Sequence, residues 1–231
     1  GNIGSTTDTN SAADTVVENA ADNTAVGITA SASDADGDDD TTYSMAISTS
    51  ACAGWFDIGS TDGIVRVDGS SEMDYETVQS CTVVITSTSD DNSVSTLTDS
   101  IAITDANDQT PTFTGVDLTP SSAEMATGAF ETYTIVDTDT VGSYSCTVAG
   151  ADSGDISCSI SGSTVSLTYA ATTDYESPAD ADTDNNYEFT VVIDDGTNDA
   201  ATQTFTGDGS NKIFSPDFDV IDKADVVVKK N

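Results

Sequence analysis

Acidic landmarks recur in the same order in both halves of this chain, and that internal repeat limits the fold more than any other feature. Glu124 follows Glu18 after 106 residues, and Asp137 and Asp139 follow Asp34 and Asp36 after 103. Asp174-Tyr175-Glu176 follows Asp74-Tyr75-Glu76 after 100, and Asp195 follows Asp90 after 105. A repeat of about 100 residues is the size of one small domain, so 231 residues divide most naturally into two units with separate cores. Between the landmarks, apolar and polar residues alternate with period two around Val26–Ala32, Ile64–Val67, Cys81–Thr88, Ser100–Thr104, Thr164–Tyr169 and Tyr187–Ile193. Gly, Asp, Asn and Ser punctuate these runs, and no dozen residues carry a helical period with caps. The sequence therefore predicts an all-β protein of tandem sandwiches.

Charge decides which partners are open to it. The 41 acidic residues against 5 basic ones give a formal net charge of -36. Phosphate backbones and anionic membranes demand basic surface, so neither nucleic acid nor membrane insertion is expected, and cations are the natural partners. Histidine is absent, which removes the commonest general base and the commonest transition-metal ligand together. Enzymatic function is not expected. Carboxylate pairs such as Asp74 with Glu76, or Asp174 with Glu176, could in principle serve a hydrolase, but their identical place in each repeat favours a structural role. The four cysteines lack the spacing of a zinc site and point to disulfides in an oxidising, extracellular setting. Three pairings are open. The expected one is Cys52 with Cys81 and Cys146 with Cys158, since each bridge then staples one repeat and neither crosses between them.

The segment joining the repeats reads DANDQTPTF from 105 to 113, which sets hard oxygen donors on a chain that Pro111 keeps from being helical. This string resembles the motif that closes a cadherin repeat, with Gln109 where a second Asn is usual. VVEN at 16–19, DADG at 34–37, FDIGSTDGIVRV at 56–67 and MDYE at 73–76 resemble the other motifs of that repeat, of the bacterial or archaeal extracellular type. The likeness covers 14–113. The second half keeps the Glu, DTD, DYE and VVIDDG elements over 114–215 without a clean closing linker. The resemblance implies two tandem cadherin-like or Ig-like Greek-key sandwiches: an N-terminal extension over 1–13, repeat one over 14–113, repeat two over 114–215, and a C-terminal strand or tail over 216–231.

It also implies a calcium-binding linker. Glu18, Asp74, Glu76, Asp105, Asn107 and Asp108 of the first repeat would meet Asp137, Asp139 and Asp195 of the second, and Ala106 and Gln109 would ligate through their carbonyls. Calcium takes six to eight oxygens in irregular geometry, which such loops supply, whereas magnesium insists on a tight octahedron. By the same logic Asp34, Asp36 and Asp90 form a half-site at the head of repeat one. Glu124, Asp174, Glu176 and Asp208 form another at the foot of repeat two. One chain's foot meeting the next chain's head would propagate into an open fibre. Lys212, Lys223, Lys229 and Lys230 are four of the five basic residues, and the alternating tail they flank could close its own sheet or add a strand to a neighbour's. The expected function is thus an extracellular, calcium-binding structural protein that associates with copies of itself into a cell-surface filament or adhesive array. The alternative is a module of a larger calcium-dependent adhesin that binds surface glycans or proteins.

Overall fold

The computed structural model describes residues 2–35, 40–69, 73–122, 125, 128–140, 142–197 and 203–205. Asp36, Glu124, Asp208 and the tail with its four lysines lie outside the described residues. Chain contacts divide the protein into two units, 1–106 and 107–231. The described residues contain strands of 2 to 11 residues and no α-helix, only one 3₁₀ turn at Ser50–Cys52. The all-β expectation holds.

Unit 1 is a sandwich of eight strands: β1 (Thr7–Asp8), β2 (Thr15–Val17), β3 (Ala25–Ser31), β4 (Thr41–Ile47), β5 (Phe56–Ile58), β6 (Ile64–Val67), β7 (Ser80–Ser89) and β8 (Val94–Thr104). One sheet has the order β1-β3-β6-β5 and the other β2-β8-β7-β4, so the chain crosses between layers after β1, β2, β3, β4 and β6. Period-two alternation explains which faces meet. In β7 every second residue from Cys81 is buried, and Val26, Ile28, Val65 and Val67 answer Val83, Ile85, Ile101 and Ile103 from the opposite layer. Trp55 and Phe56 are buried in this core as packing residues. The N-terminal segment read as an extension contributes β1 and ties itself down, with Thr6 Oγ1 donating to Ser87 Oγ at 2.9 Å. Its close passage depends on Gly27, at φ +97°, where a Cβ would stand 2.3 Å from the Ala13 carbonyl oxygen.

Unit 2 builds a second sandwich from β9 (Thr112–Thr114), β10 (Ala129–Val136), β11 (Ser145–Ala149), β12 (Ile156–Ser161), β13 (Thr164–Tyr169), β14 (Phe189–Asp194) and β15 (Gln203–Phe205). Its sheets run β12-β13-β10-β9 and β11-β14-β15. The core is more aromatic than that of unit 1. Phe189 stacks on Phe205 at 4.8 Å, and Phe113 meets Tyr133 edge-on at 5.5 Å. Cys146 on β11 is bonded to Cys158 on β12, joining the two sheets, while Cys52 is bonded to Cys81 on β7 in unit 1.

Two predictions follow from the cores. Trp55 is the sole tryptophan and sits in unit 1, so its fluorescence follows that unit alone. Ile85→Ala should cost unit 1 about 2–5 kcal/mol and shift the Trp55 transition in a denaturant titration, whereas Leu167→Ala should move the circular dichroism of unit 2 and leave Trp55 in place. The second concerns Glu131 on β10, which is 8% exposed and accepts a 2.8 Å bond from the Asp117 amide. Burial raises its carboxyl above the ordinary value of 4.5, and the Asp117 charge adds to this against the hydrogen bond. Its neighbour Tyr133 is pushed up to about 12, by burial first and by Glu131 second. A raised folded value means the protonated acid favours folding below 4.5 and that this contribution is lost as pH rises through the folded value. Glu131→Gln should therefore be more stable than the parent at pH 7, with the gap closing in acid, when thermal unfolding is compared at matched pH.

Candidate metal centre

The acidic residues named from sequence fall into one set per unit. In unit 1 the end of β2 brings Glu18 into the interior at 4% exposure. A buried carboxylate must find donors. Glu18 Oε1 accepts from the Ala106 amide at 2.8 Å, and Oε2 accepts from the Tyr75 amide, so one side chain ties β2 to the DYE turn and to the end of the chain segment leaving β8. Glu76 offers an oxygen within 4.8 Å of Glu18 and of Asp105. Asp74, in contrast, spends both oxygens on its own turn, accepting from the Thr77 amide and hydroxyl at 2.9 and 2.8 Å.

In unit 2 the loop after β10 and the end of β14 place Asp137, Asp139 and Asp195 with carboxylate oxygens all within 4.8 Å of one another. Asp139 and Asp195 are buried, at 8% and 1% exposure. Each is held by bonds that fix its direction. Asp139 Oδ2 accepts from the Gln109 amide at 2.9 Å, Asp195 Oδ1 from the Thr197 amide at 2.8 Å, and Asp137 Oδ1 from the Asp139 amide at 3.1 Å. The Asn107 side-chain amide donates to the Asp195 carbonyl at 3.0 Å and to Thr197 Oγ1 at 3.1 Å. Asp108 is exposed and accepts from its neighbour Gln109 at 2.8 Å.

Three participants were not legible in the sequence. Tyr144 donates to Asp137 Oδ2 at 3.2 Å, and its hydroxyl is raised above the ordinary range by burial and then by the Asp137, Asp195 and Asp139 carboxylates. Gly142, at φ +109°, passes so near that a Cβ would stand 3.0 Å from the Asn107 amide nitrogen. Thr197 completes the cradle of Asn107. The only signal was the Gly-x-Tyr placed shortly after DTD, which means nothing until the loop is folded.

Two charges about 4 Å apart repel by roughly 1–4 kcal/mol at surface to half-buried polarity. Arg66, the one basic residue among those described, is engaged elsewhere, with Asp62 at 2.8 Å. The donors are carboxylate and carbonyl oxygens without sulfur or imidazole, a set that suits a hard cation. Calcium fits it. Of the half-site residues, Asp34 forms an isolated bridge with Ile3 and Asp90 is exposed beside the β7–β8 turn. Asp174 accepts from the Glu176 and Ser177 amides as a turn cap. Among the described residues none of these joins a close group of three carboxylates.

Replacing Glu18 by Gln should place an amide group against a backbone donor and leave one buried amide unsatisfied. The expected cost to unit 1 is about 1–3 kcal/mol, read by Trp55 fluorescence, while Asp74→Asn should cost less because its partners are exposed.

No family model matches the sequence, and no curated protein matches it. Solved structures do match, at low identity. The human desmocollin-1 ectodomain aligns at a TM-score of 0.66 and 16% identity, covering 88% of this chain and 41% of that one. Drosophila N-cadherin EC1-4 aligns at 0.60 and 19%, covering 84% and 46%. The protocadherin gammaB7 EC3-6 cis-dimer structure aligns at 0.62 and 16%, covering 88% and 47%. The chain thus spans less than half the length of each. The likeness is one of fold: both units are sandwiches of the kind found in cadherin repeats, carrying acidic clusters and two disulfides.

Proposed function

We propose that this is an extracellular calcium-binding structural protein whose tandem sandwiches are stiffened by calcium and associate head-to-tail with copies of themselves. The observation that supports it most directly is the group of Asp137, Asp139 and Asp195, two of them buried, with no basic residue among those described to balance it. Calcium would be held by these three with Glu18, Asp74, Glu76, Asp105, Asn107 and Asp108 and by the carbonyls of Ala106 and Gln109. Its role is electrostatic and mechanical, turning mutual repulsion into shared coordination. No group in the set is asked to do chemistry on a substrate.

Self-association rests on the half-sites. Asp34 and Asp90 with Asp36 at one end, and Asp174 and Glu176 with Glu124 and Asp208 at the other, are complementary in kind, so a contact between them is heterologous and open-ended. The gammaB7 protocadherin structure, which shares this fold, is a cis-dimer, and this supports the reading. The tail strand is the second means of joining subunits. A specific observation favours the alternative of a module within a larger adhesin: the chain spans only 41–47% of the three ectodomain structures it was aligned with.

Calcium at a hundred times its dissociation constant should raise stability by about 2.7 kcal/mol over a chelated sample. Asp137→Asn with Asp139→Asn should abolish the gain. Electron microscopy with and without chelator separates the readings. Calcium-dependent polymers support head-to-tail assembly, monodisperse particles in both conditions leave the adhesin module, and polymers indifferent to chelator remove calcium from the assembly while leaving the tail strand.

A further inference from the structure

Away from these residues, unit 2 carries an acidic loop that neither the repeat nor the resemblance accounts for. Residues 180–184 read D-A-D-T-D, and one carboxylate oxygen from each of Asp180, Asp182 and Asp184 lies within 4.8 Å of the others. Alternation of Asp with small residues in a tight turn puts all three acids on one side of it. Crowded acids alone would be an ordinary solvated turn. The distinguishing fact is Asp180, which is 3% exposed, and whose Oδ1 is buried without a hydrogen-bond partner. Its other oxygen, Oδ2, accepts from the Asp184 and Asn185 amides at 2.8 and 3.2 Å, which fixes the carboxylate and leaves Oδ1 as the oxygen free to take a ligand. A buried carboxylate oxygen without a donor costs free energy that either a proton or a cation can recover.

The surroundings hold the loop in this shape. Asp152, itself buried, accepts from the Ala181 amide at 2.7 Å and from the Glu188 amide at 2.6 Å, and the Asn185 side chain donates to the Tyr175 carbonyl at 3.1 Å. We infer that the 180–184 loop is a calcium site internal to unit 2, with Asp180 Oδ1 and the carboxylates of Asp182 and Asp184 as its anionic ligands and carbonyls and water filling the remaining positions. Asp182 and Asp184 are exposed, so an ion reaches the loop directly from solvent. Asp180 then serves as the buried floor of the site. The site needs only one unit, and it stands whether or not calcium binds at the residues of the proposed linker.

The test is a calcium chloride titration of the full ¹⁵N-labelled chain at constant ionic strength, following backbone amides by NMR. The expected result is saturable movement of the Ala181, Asp184, Asn185 and Asn186 amides. It should vanish in Asp182→Asn with Asp184→Asn, both exposed and therefore expected to fold, while the Gln109 and Thr197 amides still respond. In Asp137→Asn with Asp139→Asn the pattern should reverse. Amides 181–186 that do not saturate, or that move equally with sodium chloride, would overturn the inference. Silence at Gln109 and Thr197 with saturation in the loop would remove the linker reading and keep this one.

Discussion

Negative charge without counter-charge is the constraint under which both sandwiches fold. With 41 acids against 5 bases, carboxylates cannot be neutralised in pairs and must be satisfied by backbone amides, by solvent or by cations. The structure uses the first solution repeatedly. Glu18, Asp139, Asp152, Asp180 and Asp195 are all buried, and each accepts at least one main-chain N–H. They replace turns of regular hydrogen bonding at the loop ends of the sandwiches. Where several such acids converge, as at Asp137, Asp139 and Asp195, their carboxylate oxygens lie within 4.8 Å of one another, and a cation there would relieve the repulsion.

Much of this was legible in the sequence, because it was written in patterns of short period. Alternation in Cys81–Thr88 and Thr164–Tyr169 marked β7 and β13 to within a residue or two, since a strand with one buried face has no other way to be written. The disulfides followed from the two repeats. The acidic landmarks also marked real positions, but their individual roles were not legible. Glu18 clamps Tyr75 to Ala106 through their backbone amides, and Asp74 caps its own turn. These roles depend on which amides lie nearby, which only the packed chain decides. The same is true of Glu131, a lone acid on the buried face of β10, whose partner Asp117 lies on a loop with no motif.

The 180–184 loop shows the same limit from the other side. Its acids stand plainly in the sequence, yet nothing in the string says that Asp180 is buried while Asp182 and Asp184 are exposed. Asp152, almost thirty residues earlier, determines that by gripping both flanks of the loop. Acidic clusters in so anionic a chain are common, and burial of one member is what separates a site from a solvated bend.

The pairing of β2 with β8 has a consequence of another kind. Thr15 to Val17 lie parallel to Ala102 to Thr104, while the other strand pairs of unit 1 are antiparallel. These are strands near the two ends of the unit, and the Glu18 clamp sits at the end of that ladder. When the ends of a domain are pulled apart, terminal strands that run parallel slide along one another, so their hydrogen bonds share the load and must break together. An antiparallel terminal pair would open one bond at a time. Tension applied between β2 and β8 would therefore load this three-residue ladder in shear beside the Glu18 clamp, whereas β1, antiparallel to β3, lies outside it.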